Sequence, residues 1–226
     1  MIGDIVCVIA SNKLRGDEGI DTAKLTGARS EYKVSIGQPS KTTNTTNTGG
    51  NAGSTSTPTT TPTTVTPPVT TLQHTLEGND SLTTIERLEF ADVKLAIDLD
   101  GNAGQVAKIL GAVFGKAAVQ DKVYAGIGLF FLDNKLADYE GLMKLAIEVK
   151  LGTPTPTPTQ VVDLLYTNVV GVAPSAADKA PFVSLLESGA FTNGSLGVMA
   201  ADTSFNTANI DLVGLQLNGL LFVSPA

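Results

Sequence analysis

Residues 40–71 read SKTTNTTNTGGNAGSTSTPTTTPTTVTPPVTT, and this stretch limits what the chain can fold into more than any other. Thr makes up roughly half of it, its only charge is Lys41, and it holds no apolar run that a core could absorb. Such a composition predicts an extended, polyproline-like, mobile loop over 39–71. Loop closure entropy grows slowly with length, so a β-hairpin can carry an insert of this size. The loop therefore sits inside a β region and does not separate two domains.

The flanks support that placement. AKLTGARSEYKVSIG before the loop and LTTIERLEFADVKLAID after it are rich in alternating or β-branched residues, punctuated by Gly and Asp. Polar and apolar residues alternate through Arg87-Leu88-Glu89-Phe90, and Val93, Leu95 and Ile97 resume the pattern. Glu86, Arg87 and Glu89 are read here as solvated strand residues. Residues 1–98 form the expected β region.

From Gly101 the period changes. Val106, Ile109, Leu110 and Val113 recur at helical spacing, as do Leu142, Leu145, Ala146 and Val149 behind Asp138 as N-cap. Thr157 with Pro158 opens another helix that stops at Gly171, and Ser175 with Asp178 approaches a capping box before a stop at Gly189. Two further segments follow, around TNGSLGVMAADTS and TANIDLVGLQLNGL. The fold class expected is α+β: a small N-terminal β part, a hairpin or roll with the long Thr-rich loop, then a compact bundle of six or seven short helices over 99–222.

Charge and rare residues remove several function classes. The 226 residues carry 22 Asp and Glu against 15 Lys and Arg, a formal charge of −7, which argues against nucleic acid or an anionic membrane surface. No stretch approaches a membrane span. One cysteine, Cys7, and one histidine, His74, leave no internal disulfide and no ordinary zinc site. No Ser/His/Asp constellation or carboxylate pair stands out, so the chain is read as non-enzymatic. Asp98, Asp100 and Asn102 begin like an EF-hand loop, but Ala103 and Ile109 occupy the positions that need Gly and a bidentate Glu. They are read as a polar turn before a helix.

The stretch Gly16–Lys24, GDEGIDTAK, matches the calcium-binding nonapeptide G-G-x-G-x-D-x-U-x, with Asp17 in the second glycine slot. Asp17, Gly19 and Asp21 are the candidate calcium residues, with oxygen ligands from Asp21 and the backbone, and Ala23 as the inward U residue. The nine residues before it, Cys7–Arg15, keep Leu14 at U but offer only Asn12 where Asp is expected. Arg15-Gly16-Asp17 falls within this turn, which accounts for its Gly and Asp without an adhesion receptor.

These motifs carry a resemblance. GDEGIDTAKLTGARSEYKVS, followed by SLTTIERLEFADVKLAIDLDGNAGQVAKILGAVFG, resembles the C-terminal region of bacterial RTX-type secreted proteins, where a last glycine–aspartate repeat runs into a β-hairpin. The rest, above all LLYTNVVGVAPSAADKAPFVSLLESG, looks like the helical domain of unknown function that follows it, and distantly resembles phycobilisome linker helices. The resemblance covers about residues 14–222, with the repeat reduced to one turn and the hairpin split by the Thr-rich insert. It implies bacterial type I secretion through an uncleaved C-terminal signal, for which the uncharged tail within 212–226 is the candidate. It supplies no catalytic residue.

The function expected is that of an extracellular or cell-surface structural protein that self-assembles as a surface-layer, filament or biofilm-matrix subunit, with calcium as its cofactor. Its partners would be copies of itself and the type I secretion machinery. The assembly strand is Ile5, Val6, Cys7, Val8 and Ile9, apolar on both faces and able to add to a neighbour's sheet edge. The alternatives are an inert secretion and folding module, or a surface adhesin. The absence of Trp weakens the adhesin, since sugar sites rely on aromatic stacking faces.

Overall fold

The computed structural model describes residues 2–6, 12–38, 40–42, 64–75 and 78–225. The architecture is α+β. Strands β1 (Ile2–Val6), β2 (Lys13–Arg15) and β3 (Ile20–Lys24) open the chain, and β4 (Tyr32–Ser35) follows a short 3₁₀ turn. The strands β5 (Ser40–Thr42) and β6 (Thr64–Thr66) pair antiparallel and flank the centre of the Thr-rich stretch, which lies outside the described residues. Strands β7 (Val69–His74), β8 (Gly78–Thr83), β9 (Arg87–Glu89) and β10 (Lys94–Ala96) complete the N-terminal half.

The first four strands alternate between two sheets. One sheet runs β1-β3-β9-β10-β11, where β11 (Leu220–Phe222) returns from the end of the chain; the other runs β2-β8-β7-β4. The contacts β1·β3, β3·β9 and β2·β8 are parallel. Ile2 pairs with Ile20 and Val6 with Lys24, an advance of 18 residues per coil (20 − 2). Leu14 and Ala23, nine residues apart (23 − 14), both face the core between the sheets. Nine residues thus make half a coil, as the spacing of the nonapeptide requires. The hairpin β4–β7 carries the insert, with Tyr32 opposite His74 and Ser35 opposite Thr71.

The inner faces of the two sheets bury Ala23, Leu72, Leu82, Leu88 and Leu95. Tyr32 joins them and stacks on His74 at a centroid distance of 4.6 Å, so the one histidine is an aromatic neighbour on the sheet.

Eight α-helices follow among the described residues. They are α1 (Asn102–Ile109), α2 (Lys122–Asp133), α3 (Tyr139–Leu151), α4 (Pro158–Val170), α5 (Ala176–Glu187), α6 (Asn193–Ala201), α7 (Ser204–Asn209) and α8 (Leu212–Asn218). The expected caps are in place. Asp138 accepts from the Gly141 N–H at 2.8 Å, and Thr157 and Ser175 each close a capping box. Asn102 opens α1 after a turn, as read from the sequence. The last expected helix is divided in two at Asp211, which takes a left-handed conformation at φ +50.

α1 widens into a π-helical turn over Leu110–Phe114. The carbonyls released there have side-chain partners: Asn168 donates to Ala112 O and Val113 O, and Asn206 to Lys108 O. These bonds fasten α4 and α7 to the core helix. Met143, Ile147 and Val161 have no exposed surface at the centre of the bundle.

Candidate functional site

The nonapeptide turn meets the helices at one place, where β3, β9 and α2 converge. Gly16 donates its N–H to Thr83 O at 3.1 Å, and the Thr84 hydroxyl donates to Gly16 O at 2.7 Å. A side chain at Gly16 would collide with Thr84 O and with the Asp21 carboxylate, so only glycine allows the two turns to stack. Gly19 holds φ +121, which no L side chain adopts without strain.

The three candidate calcium residues fall in different environments. Asp17 and Gly19 are exposed, while Asp21 is buried. Asp21 Oδ2 is inaccessible to solvent and has no hydrogen-bond partner. An orphaned carboxylate oxygen at this depth costs stability unless a donor or cation reaches it. The Asp21 N–H donates to Glu86 Oε2 at 2.9 Å, and the Glu86 N–H donates to Asp21 O at 3.1 Å. Burial pushes the Glu86 carboxyl above its ordinary range; the Asp21 N–H opposes this, and the negative fields of Asp98 and Asp21 add to it.

Beside this pair lies a buried ion cluster. Arg87 on β9 donates from Nη1 to Asp98, from Nη2 to Asp133 Oδ1 at 2.7 Å, and from Nε to Asp133 Oδ2 at 3.0 Å. Asn102 at the start of α1 donates to the same Asp133 Oδ1 at 2.9 Å. One guanidinium therefore joins a strand, the turn after β10 and the last turn of α2. Its side chain is 4% exposed, against 11% for Asp98 and 13% for Asp133. This corrects the sequence reading of Arg87 as a solvated strand residue: position 87 lies on the strand face that α2 covers. Burial raises the Asp98 carboxyl in spite of the attraction of Arg87.

Glu86 and Thr84 are the site residues that sequence reasoning missed. Leu82 and Leu88 repeat the inward positions of Leu14 and Ala23, since Leu14 pairs with Leu82 and Ala23 with Leu88. Their separation is six residues (88 − 82) where the repeat has nine, so the second coil carries a shortened turn without glycines. Glu86 lies in that shortened turn, hydrogen-bonded to Asp21. Among the described residues no group of three or more His, Cys, Asp or Glu side chains is arranged to hold a metal. Any cation here would need backbone carbonyls in addition to Asp21 and Glu86.

Of the expected assembly strand, Ile5 and Val6 lie in β1, paired with Ala23 and Lys24 of the same chain. Cys7, Val8 and Ile9 lie outside the described residues. The segment read as a secretion signal, 212–226, contains α8 and β11 among its described residues, and β11 pairs antiparallel with β10. Among the described residues no helix is long and apolar enough to cross a membrane. No protein-family model matches the chain, and neither a curated protein nor a solved structure matches it.

Proposed function

We propose that this chain is a non-enzymatic, extracellular bacterial structural protein that self-assembles into a surface layer, filament or matrix, aided by calcium. One observation carries the reading. β1 is an edge strand held by a parallel ladder to β3 alone, at the N-terminal end of a two-sheet roll. If β1 leaves its own β3, it exposes an edge of the same register on which a neighbour's β1 can form identical bonds. Exchange of an identical element costs little, and a head-to-tail exchange does not close.

Calcium enters at the turn between coils. Asp21 Oδ2 and Glu86 would hold it together with backbone carbonyls, and the cation would supply charge neutralisation and a cross-link between coils. It would set the order of the very edge that receives β1. The nine-residue half-coil supports kinship with RTX-type proteins and, through it, type I secretion.

Deletion of residues 1–10 tests the strand. The truncated chain is expected to stay folded by circular dichroism and to lose assembly in negative-stain electron microscopy. A truncated chain that still polymerises refutes strand addition. A full chain that stays monodisperse with and without calcium moves the reading to a secretion and folding module or an adhesin.

A further inference from the structure

The apolar surface of α2 is not all spent on the core. Tyr124 and Ile127 on α2, with Leu145 and Val149 on α3, stay partly exposed, from 38% for Leu145 to 63% for Val149. They rim a groove of about 130 Å³ whose floor includes the buried Val106 and Leu110. Every residue lining it is apolar or aromatic. A hollow of this kind holds water poorly and favours an apolar guest. Its volume takes part of an alkyl chain, whereas a helix about 10 Å across would not enter it.

The groove has charge at one end. Phe114, the last residue of the π-helical turn, lies 5.0 Å from the Tyr124 ring between centroids, and Lys150 Nζ stands 5.6 Å from the centre of its ring. The start of α2 and the end of α3 therefore meet at Phe114. From there the groove follows α2 to Phe131, seven residues on (131 − 124), or about 10 Å of helix. Lys150 is exposed and has no ion-pair partner among the described residues. The same holds for Lys116, two residues past Phe114, and for Lys122, two before Tyr124. The acidic groups adjoining the groove in sequence are engaged: Asp121 accepts from the Val123 and Tyr124 N–H groups, and Glu148 accepts from Lys144 at 2.7 Å.

We infer that the groove between α2 and α3 binds a single-chain anionic amphiphile of the fatty-acid class. The alkyl chain lies along Ile127 and Leu145, and the carboxylate meets the Lys150 ammonium beside Phe114. The apolar length supplies affinity and the lysine supplies the choice of headgroup. The π-helical turn presents Phe114 at the charged end, in keeping with the frequent use of such turns at functional sites. The inference does not rest on the assembly proposal, since ligand binding is read by calorimetry and polymer by microscopy.

The experiment is isothermal titration calorimetry of the purified full chain in calcium-free buffer, with octanoate, decanoate and decyltrimethylammonium below their micelle-forming concentrations. Wild type is expected to bind one decanoate per chain. It should bind decanoate more tightly than octanoate, by about two- to fourfold per methylene. Decyltrimethylammonium should bind about tenfold more weakly than decanoate. Lys150→Glu should weaken decanoate by about three- to tenfold and leave decyltrimethylammonium bound as well or better. Leu145→Gln should weaken both ligands alike, by about fivefold. Circular dichroism confirms that each variant is folded. Absence of decanoate binding overturns the inference, as does equal affinity for the two headgroups, or decanoate binding unchanged in either variant. Binding seen only with vesicles of anionic phospholipid, and not with monomeric decanoate, also overturns it.

Discussion

In the helical half, each element is specified within a turn of its own ends. Thr157 and Gln160 bond each other across the first turn of α4, Ser175 and Asp178 do the same for α5, and Gly152 and Gly171 end α3 and α4 in left-handed geometry. In the roll, the decisive partners are remote. Asn12 donates to Asp80, Asp21 to Glu86, and Gly16 accepts from Thr84, each across more than sixty residues. The bundle is built from local signals that add up, whereas the roll depends on bringing two coils together over a long insert. The contrast teaches where each half is fragile. The bundle tolerates the loss of one cap, while the roll depends on a few junction residues.

The largest expected effect comes from the joint between the halves. Arg87→Met would leave Asp98 and Asp133 buried without their cation, at a cost of about 3–5 kcal/mol. Thermal unfolding should shift well below that of wild type, and proteolysis should cut near the junction first. An unchanged transition would mean that the ion cluster does not hold the halves together.

A smaller effect sharpens the comparison from the helical side. Thr157→Ala removes one side of a capping box and should cost about 1 kcal/mol. Hydrogen exchange should speed up in α4 while amides of β3, β8 and β9 keep their protection. Faster exchange in the roll would show that the two halves are more tightly coupled than the packing implies.

The smallest effect concerns pH. The Glu86 carboxyl titrates above its ordinary range in the folded chain. A raised carboxyl favours the protonated form, so its contribution to stability is complete below the unfolded pKa and is lost as pH rises through the folded one. Glu86→Gln should therefore be more stable than wild type at neutral pH and equal to it in acid, measured as denaturation midpoints. It should also blunt any stabilisation by calcium. Equal midpoints for the two proteins at all pH values would place Glu86 in contact with solvent.

The same contrast governs what the sequence discloses. Caps at Asp138, Thr157 and Ser175 are legible because a cap acts within a few residues. The nine-residue advance from Leu14 to Ala23 is legible for the same reason. α2 was not, since KVYAGIGLFFLD is apolar around most of its circumference and rich in residues that favour strands. The burial of Arg87 was hidden because its partner, Asp133, belongs to that helix. Glu86 was hidden by the insert, which separates it from Asp21 in sequence, and by a turn three residues shorter than the repeat.

The most direct test of the account is negative-stain electron microscopy of the purified chain, with calcium and again after chelation. The account predicts ordered filaments or sheets with calcium and their loss on chelation. Monodisperse particles under both conditions would contradict it.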